Sequence, residues 1–459
     1  MKTLIDPPQA LEDGLAAIRA EFAVPATFPP QVLATASQAA MRTPDAHVDR
    51  TDRPFVTLDP AASIDLDQAF AIEAAGGDLL LHYAIADVGW FVRDRDPLDV
   101  EAWRRGETLY LPDGKAGLYP PSLSEGAASL LPTGPRPAVV FTVRVAADGG
   151  VRLAGVERAL IRSRAKLAYD SVRDADLPAG FVELTDRVAV AERARGASRV
   201  DPPQQEVGRD GDRFTLAFLP RLESERRNAQ LSLATNMAVA DALAAAGTGL
   251  FRVMAAPDAR AVTRLRHTAA ALGLSWPATQ PLADFERGLS DVDPREAAFM
   301  LALRRAGSGA GYAPFYAGER PWHAAVAATY AHATAPLRRL ADRYVVEAAL
   351  AVANGLPVSD TLSGAFQRLP PVMARADALA GRIDRAIIDL AEAAVLAGRV
   401  GERFAAVVTD TEGDVARIQL RDLPVAARLK GVSFAPGEAV QVTLAAADPV
   451  SRRIAFDPA

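Results

Sequence analysis

The chain contains no cysteine. That excludes disulfides, thiolate nucleophiles and cysteine-bound zinc. Histidine is scarce as well: His47, His82, His267, His323 and His332 are scattered, none at metal-ligand spacing from another. Any metal is therefore expected to be a hard, oxygen-bound ion, Mg²⁺ with Mn²⁺ as a substitute. Lysine is nearly missing too. Only Lys2, Lys115, Lys166 and Lys430 interrupt an otherwise all-arginine basic set. Arginine suits bidentate phosphate contacts, although arginine richness also follows from genome base composition. No apolar run is long enough to span a bilayer, and the first residues lack the run of a signal peptide, so a cytoplasmic location with no membrane association is expected. Excess positive charge is absent: the net charge is −6 and does not announce a nucleic-acid binder, so charge placement has to be read instead.

What is there is a chain of 459 residues, half of them hydrophobic, enough for two or three domains. Residues 1–48 read as a small helical module. Leu11, Leu15, Ile18 and Phe22 step at helical spacing after Pro7-Pro8, and a second helix follows Pro29-Pro30 with Val32, Leu33 and Ala36 on one face. Such a pair is either a helix-turn-helix or a packing cap. Residues 50–165 are mostly strand: Phe55–Leu58, Ala69–Glu73, Leu79–Asp87, then a hairpin of Val139–Val145 and Val151–Ile161 around Asp148-Gly149-Gly150. Helices are expected over 222–246, 257–273, 294–306, 336–353 and 371–399, the fourth stopped by Asn354-Gly355. After Gly401 short strands return, at Phe404–Thr409, Val415–Leu420, Ala439–Ala445 and Ile454–Phe456, which fits a small OB-type barrel.

The most informative stretch runs from Phe55 to Phe70. It places Asp59, Asp65 and Asp67 in a short connection between two strands. Asp65 and Asp67 are two apart and share a face in an extended segment, while the turn at Pro60–Ser63 can fold Asp59 back towards them. Carboxylates held together repel unless a cation neutralises them, and two hard ions can activate a water, clamp a phosphate and stabilise a leaving oxygen. A solvated acidic turn is the other reading. A calcium loop is disfavoured, because the glycine and terminal glutamate of an EF-hand are missing.

This stretch resembles the signature of the ribonuclease II and ribonuclease R family, a T-I-D followed by D-x-D-D-A. Asp59, Asp65 and Asp67 fall on the first three acidic positions, and Gln68 stands at the fourth. Further likenesses follow in family order. Ile85-Ala86-Asp87-Val88 is similar to I-A-D-V, and Arg105 with Tyr110, Leu111 and Pro112 to R-x-x-x-x-Y-L-P. Leu160–Leu167 with Tyr169 is similar to I-R-S-x-A-x-L-x-Y, and Tyr330–Arg339 to Y-T-H-x-T-S-P-I-R-R. The departures are Gln68, Ala335, Leu340, and Gln230 at a position where an acid is expected. Residues 1–48 stand where the family usually has cold-shock barrels.

The resemblance implies a mixed α/β (α+β) fold. Residues 49–400 would form a catalytic domain of the RNB type, a mixed sheet with helices forming an RNA channel, and 401–459 an S1-like five-stranded OB barrel that binds RNA. It implies a 3′-to-5′ exoribonuclease that hydrolyses single-stranded RNA to nucleoside 5′-monophosphates with two Mg²⁺ ions. Asp59, Asp65 and Asp67 would be catalytic metal ligands and Gln68 a neutral oxygen ligand. Arg338 would stabilise the transition state. On spacing alone Thr334 caps a helix whose first turn carries Pro336, which puts Arg338 and Arg339 near a phosphate-binding N-terminus; Arg338 could equally pair with Asp342. Tyr110 and Tyr169 would stack on bases, against the commoner fate of core packing. Arg162, Arg164 and Lys166 alternate along a strand and either line the RNA path or face solvent. Arg339 binds phosphate or braces the site, and Asp384 would sit near the terminal ribose. The alternative function is an RNA-binding relative impaired by Gln68. The sequence names no protein partner, and a monomer is expected.

Overall fold

Runs of buried apolar residues set the centre of the fold. Strands Arg136–Val145 and Val151–Ile161 pair antiparallel around the turn at Gly149, the expected hairpin. Gly149 has φ 79°, and a Cβ there would meet the carbonyl oxygen of Arg187 at 2.1 Å, so this corner is closed to any side chain. The computed structural model describes residues 2–5, 8–198, 204–210, 213–219, 221–290, 293–307, 309–430 and 434–459. Within it the hairpin belongs to a seven-stranded sheet in the order Ser163–Ala168, Phe55–Asp59, Gln68–Ala75, Asp78–Ala86, Arg136–Val145, Val151–Ile161, Val48–Asp49. The outermost pair at each edge is parallel and the inner pairs are antiparallel, so the sheet is mixed.

Helices Glu223–Ala245 and Leu340–Ala353 cover the sheet and bury Leu231, Ala234 and Ala238 from the first and Tyr344, Val345 and Ala348 from the second. Helix Asp360–Leu396 serves two cores. Its first half places Phe366, Leu369 and Met373 against the sheet core. Its second half places Ile383, Ile387 and Leu390 in a core shared with Ile5, Leu11, Leu15 and Ile18 and with the C-terminal strands. Those strands form a five-stranded antiparallel sheet, in the order Ala426–Lys430, Val415–Leu420, Arg403–Glu412, Ala439–Asp448, Arg453–Pro458. The first and last strands of that order approach one another, leaving an OB-like barrel nearly closed.

Several elements differ from expectation. The last long helix begins at Asp360, capped by Ser359, and runs through Pro370-Pro371. Prolines inside a helix cost about 3 kcal/mol, while each fully buried Phe, Leu or Met contributes about 1.5–3 kcal/mol; the buried stripe outweighs the breakers. The preceding helix begins at Leu340 rather than 336: the Leu337 amide donates to Asp67, the Leu340 amide to the Gly106 carbonyl, and the Arg338 carbonyl accepts the Thr108 amide. Helix Phe181–Ala194, the pair Gln204–Asp210 and Arg213–Leu219, and barrel strand Ala426–Lys430 were not expected. Helices Pro8–Glu21 and Pro30–Ala40 pack into different cores, as caps rather than as a helix-turn-helix pair.

Candidate active site

Strand Phe55–Asp59 is buried through Leu58 and delivers Asp59 to the edge of the sheet core. The crossing to the next strand is pinned. The Ser129 hydroxyl donates to the Ile64 carbonyl at 2.8 Å and accepts from the Leu66 amide at 2.9 Å. The Ala86 amide donates to the Asp67 carbonyl at 2.9 Å. Asp67 is buried, and its Oδ1 accepts from the Leu337 amide at 2.7 Å while its Oδ2 lies 3.6 Å from Nε of Arg338. Residues 59–67 and 334–339, far apart in sequence, are thereby brought together.

Burial pushes the carboxyls of Asp59 and Asp67 up to about 7, with Arg338 pulling both back. Two desolvated carboxylates, Asp59 partly buried and Asp67 buried, are thus short of positive charge, and the donor set is purely oxygen, which fits a hard divalent ion completed by phosphate oxygens. Among the described residues no three of His, Asp and Glu are grouped to hold a metal by themselves. Asp65, the third expected ligand, is already engaged: its Oδ2 accepts from Nζ of Lys115 at 2.8 Å and from the Tyr110 hydroxyl at 3.2 Å.

Gln68 is not left open as a ligand. Its amide nitrogen donates to the Thr334 carbonyl at 2.7 Å, and its amide oxygen accepts the buried Tyr83 hydroxyl. The expected neutral ligand is therefore placed as a brace between the sheet and the arginine loop, because strand Gln68–Ala75 turns this side chain towards Tyr83. That loop is also held by Asn236, whose Oδ1 accepts from the Ala333 amide at 2.9 Å. The two arginines part company. Arg339 is clamped on Asp342 through 2.9 and 2.8 Å contacts, and Asp342 also accepts from the Ala335 amide. Of the two earlier readings of Arg339, bracing is the one the geometry supports. Arg338 precedes the helix rather than lying inside it, and its side chain is 45% exposed beside Asp67.

Tyr110 stands on hairpin Leu109–Leu111 and Gly114–Ala116, half exposed, with its ring open to solvent. Tyr169 is partly buried next to Asp59; its amide donates to the Asp59 carbonyl at 3.2 Å and its hydroxyl accepts from Asn228 at 2.8 Å. Arg164 and Lys166 share a face of strand Ser163–Ala168. They donate to backbone carbonyls, Arg164 to Thr51 at 2.9 Å and Lys166 to Ala61 at 2.7 Å, while Arg162 lies just before the strand. Asp384 lies in the second half of the long helix, within electrostatic reach of Glu107 rather than of the aspartate loop. His332 is held neutral by burial and bonds Tyr312.

Sequence reasoning missed Lys115, Glu125, Tyr83 and Asn236. The one available signal was that Lys115 is a rare lysine and lies opposite Tyr110 across a two-residue turn. Arg105 fixes the base of that hairpin by donating to the Gly117 carbonyl at 3.0 Å, and Arg19 fixes its tip through a bidentate pair with Asp113, both contacts 2.8 Å.

A family model described as the RNB domain matches residues 47–353, and one described as the RNase II-type exonuclease C-terminal S1 domain matches residues 402–459. Ribonuclease R of Escherichia coli (strain K12) is 32% identical over 325 residues, which cover 64% of this chain and 39% of that protein. Ribonuclease R of Aquifex aeolicus (strain VF5) is 29% identical over 352 residues, 70% of this chain and 49% of that protein. The chain thus spans less than half the length of these relatives. Among solved structures, Mycoplasma genitalium RNase R in complex with ribose-methylated single-stranded RNA superposes with a TM-score of 0.87 at 19% identity, over 98% of this chain and 78% of that one. No described helix is long and apolar enough to cross a membrane.

Proposed function

Since this chain belongs to the RNB-domain family of ribonuclease II and ribonuclease R, we propose that it removes nucleotides from the 3′ end of single-stranded RNA as nucleoside 5′-monophosphates. The observation that carries the reading is the meeting of partly buried Asp59 and buried Asp67, both short of positive charge, with the half-exposed guanidinium of Arg338. Asp59 and Asp67 would hold one Mg²⁺ or Mn²⁺ between them. When bound, such an ion supplies Lewis acidity and charge neutralisation at the scissile phosphate.

The protein's own residues do the rest. Arg338 turns its guanidinium to the phosphate and meets the charge that grows as water attacks phosphorus and the bond to the 3′ oxygen breaks. Its position is set from behind by Asp67, by the Leu337 amide on that carboxylate and by the buried Arg339–Asp342 pair. Tyr110 offers an open ring for a base, worth on the order of 1–3 kcal/mol per stacked base, and Tyr169 closes the wall beside Asp59. Arg162, Arg164 and Lys166 carry positive charge along the same edge of the sheet. Asp384, placed away from the aspartate loop, contacts the substrate only outside the scissile position. Residues 49–400 act as the catalytic unit, residues 401–459 grip the RNA, and residues 1–48 brace both.

The test is incubation of the purified chain with 5′-labelled single-stranded RNA, with EDTA and with Mg²⁺ or Mn²⁺ restored. Stepwise shortening from the 3′ end only when metal is present is the expected result. A matching DNA strand should resist, since the 2′-OH distinguishes the two. RNA that is bound but never shortened at any metal concentration would leave the chain an RNA-binding relative.

A further inference from the structure

We propose that Lys115 is the built-in counter-ion of Asp65: its ammonium holds the cationic position at that carboxylate, and the site takes one divalent ion fewer than its aspartates would otherwise accept. This deepens the reading above and rests on it for the identity of the site.

Lys115 Nζ lies 2.8 Å from Oδ2 of Asp65 and 3.0 Å from Oε1 of Glu125. The three side chains are only 22%, 14% and 23% exposed, so the pairing is less screened than at an open surface. The same Asp65 oxygen accepts the Tyr110 hydroxyl, and Tyr110 and Lys115 are direct partners across the hairpin. Two donors from one ribbon therefore converge on one carboxylate oxygen, and an ion binding there has to displace both. The ribbon is not free to withdraw. Arg105 holds its base and the Arg19–Asp113 pair its tip.

The residue type supports the assignment. In a chain whose basic residues are almost all arginine, this position carries lysine, a compact point charge rather than a planar fork. A compact cation is what a carboxylate built for a metal accepts. Asp67 differs: the cation beside it is Arg338, 3.6 Å away and half exposed, able to leave for a phosphate. Gln68 adds no charge and is bound to Tyr83 and Thr334. The acidic set thus divides, with Asp59 and Asp67 left to an exchangeable ion and Asp65 to the lysine.

The experiment counts Mn²⁺ bound per full-length chain by electron paramagnetic resonance, with Mn²⁺ as the only ligand. Lys115→Met is expected to bind one more Mn²⁺ than the unsubstituted chain, and Lys115→Arg the same number. An unchanged count in Lys115→Met, or a gain in Lys115→Arg, overturns the proposal. Thermal melting confirms that each variant is folded. If Lys115→Met does not fold, Asp65→Asn decides: its count should equal that of the unsubstituted chain, and the loss of one ion overturns the proposal. RNA shortening is scored separately. Counts that respond as stated in a chain that never shortens RNA sustain Lys115 as counter-ion and remove the exonuclease reading; active chains whose counts ignore Lys115 do the reverse.

Discussion

Gln68 and Thr334, 266 residues apart, are joined by a hydrogen bond of 2.7 Å from the glutamine amide to the threonine carbonyl. A glutamine at a family acidic position therefore ties the aspartate strand to the arginine loop. Replacing it with Asp removes the donor, leaves a buried carbonyl unpaired and sets a carboxylate against it. We expect Gln68→Asp to lose about 1–3 kcal/mol of stability and to lower the rate of RNA shortening. Thermal melting and a Mg²⁺ titration of the rate check this. An unchanged melting temperature with a lower metal requirement would show that the position is a ligand after all.

Asp67→Asn keeps the oxygen that accepts the Leu337 amide and discards the charge. The fold should persist and RNA affinity should hold or rise, while turnover falls by several orders of magnitude, on the order of a thousandfold or more. Single-turnover rates and filter binding on the same preparation separate the two effects. A loss of less than tenfold would remove Asp67 from the chemistry.

The neighbouring arginines should fail differently. Arg338→Ala is expected to leave melting unchanged and cut the rate by about a hundredfold to a thousandfold, the scale of losing one transition-state donor. Arg339→Ala leaves Asp342 buried without its cation and should cost about 3–5 kcal/mol of stability. Melting curves and rates for both variants check the split; equal destabilisation would contradict it.

Glu392, in the long helix, gives a pH signature. Burial pushes its carboxyl up to about 8 from 4.5, while its Oε1 accepts from Gln205 at 2.6 Å and from the Ala426 amide at 2.7 Å. Between those two pH values the folded chain holds a proton that the unfolded chain releases, so this group's effect on stability worsens as pH rises from 4.5 to 8. Glu392→Gln keeps the accepting oxygen and removes the titration. It should be more stable than the unsubstituted chain by up to about 4 kcal/mol at pH 8, with the gain vanishing below pH 4.5. Denaturant melts across that range test the slope.

Much of this was legible in the sequence. Asp59, Asp65 and Asp67 announce themselves because a strand of period two, a turn and another strand force three acids into one connection. Helices 223–245 and 294–306 follow from apolar spacing. What stayed hidden depends on long-range partners. Nothing local reveals that the Leu337 amide is taken by Asp67 or the Ala335 amide by Asp342, which is why the helix starts at Leu340 instead of at Pro336. Pro370-Pro371 argued for a break that the buried stripe of Phe366, Leu369 and Met373 overrides. Lys115 was visible as a rare residue, but its role depends on hairpin register and on a carboxylate fifty residues upstream.

The core that Leu11, Leu15 and Ile18 share with Ile387, Leu390 and Phe404 joins the two ends of the sequence. During synthesis helix Pro8–Glu21 is made well before the surface it packs on, the second half of helix Asp360–Leu396 and the strands after it. Until then its apolar face has no partner, and the hairpin tip that Arg19 holds has no anchor. Such a pairing of distant segments slows folding, since a long loop must close before the contact rewards it. Completion of the hairpin that carries Tyr110 and Lys115 is thereby deferred until helix Asp360–Leu396 has been made, and a protein stopped short of it lacks a finished site.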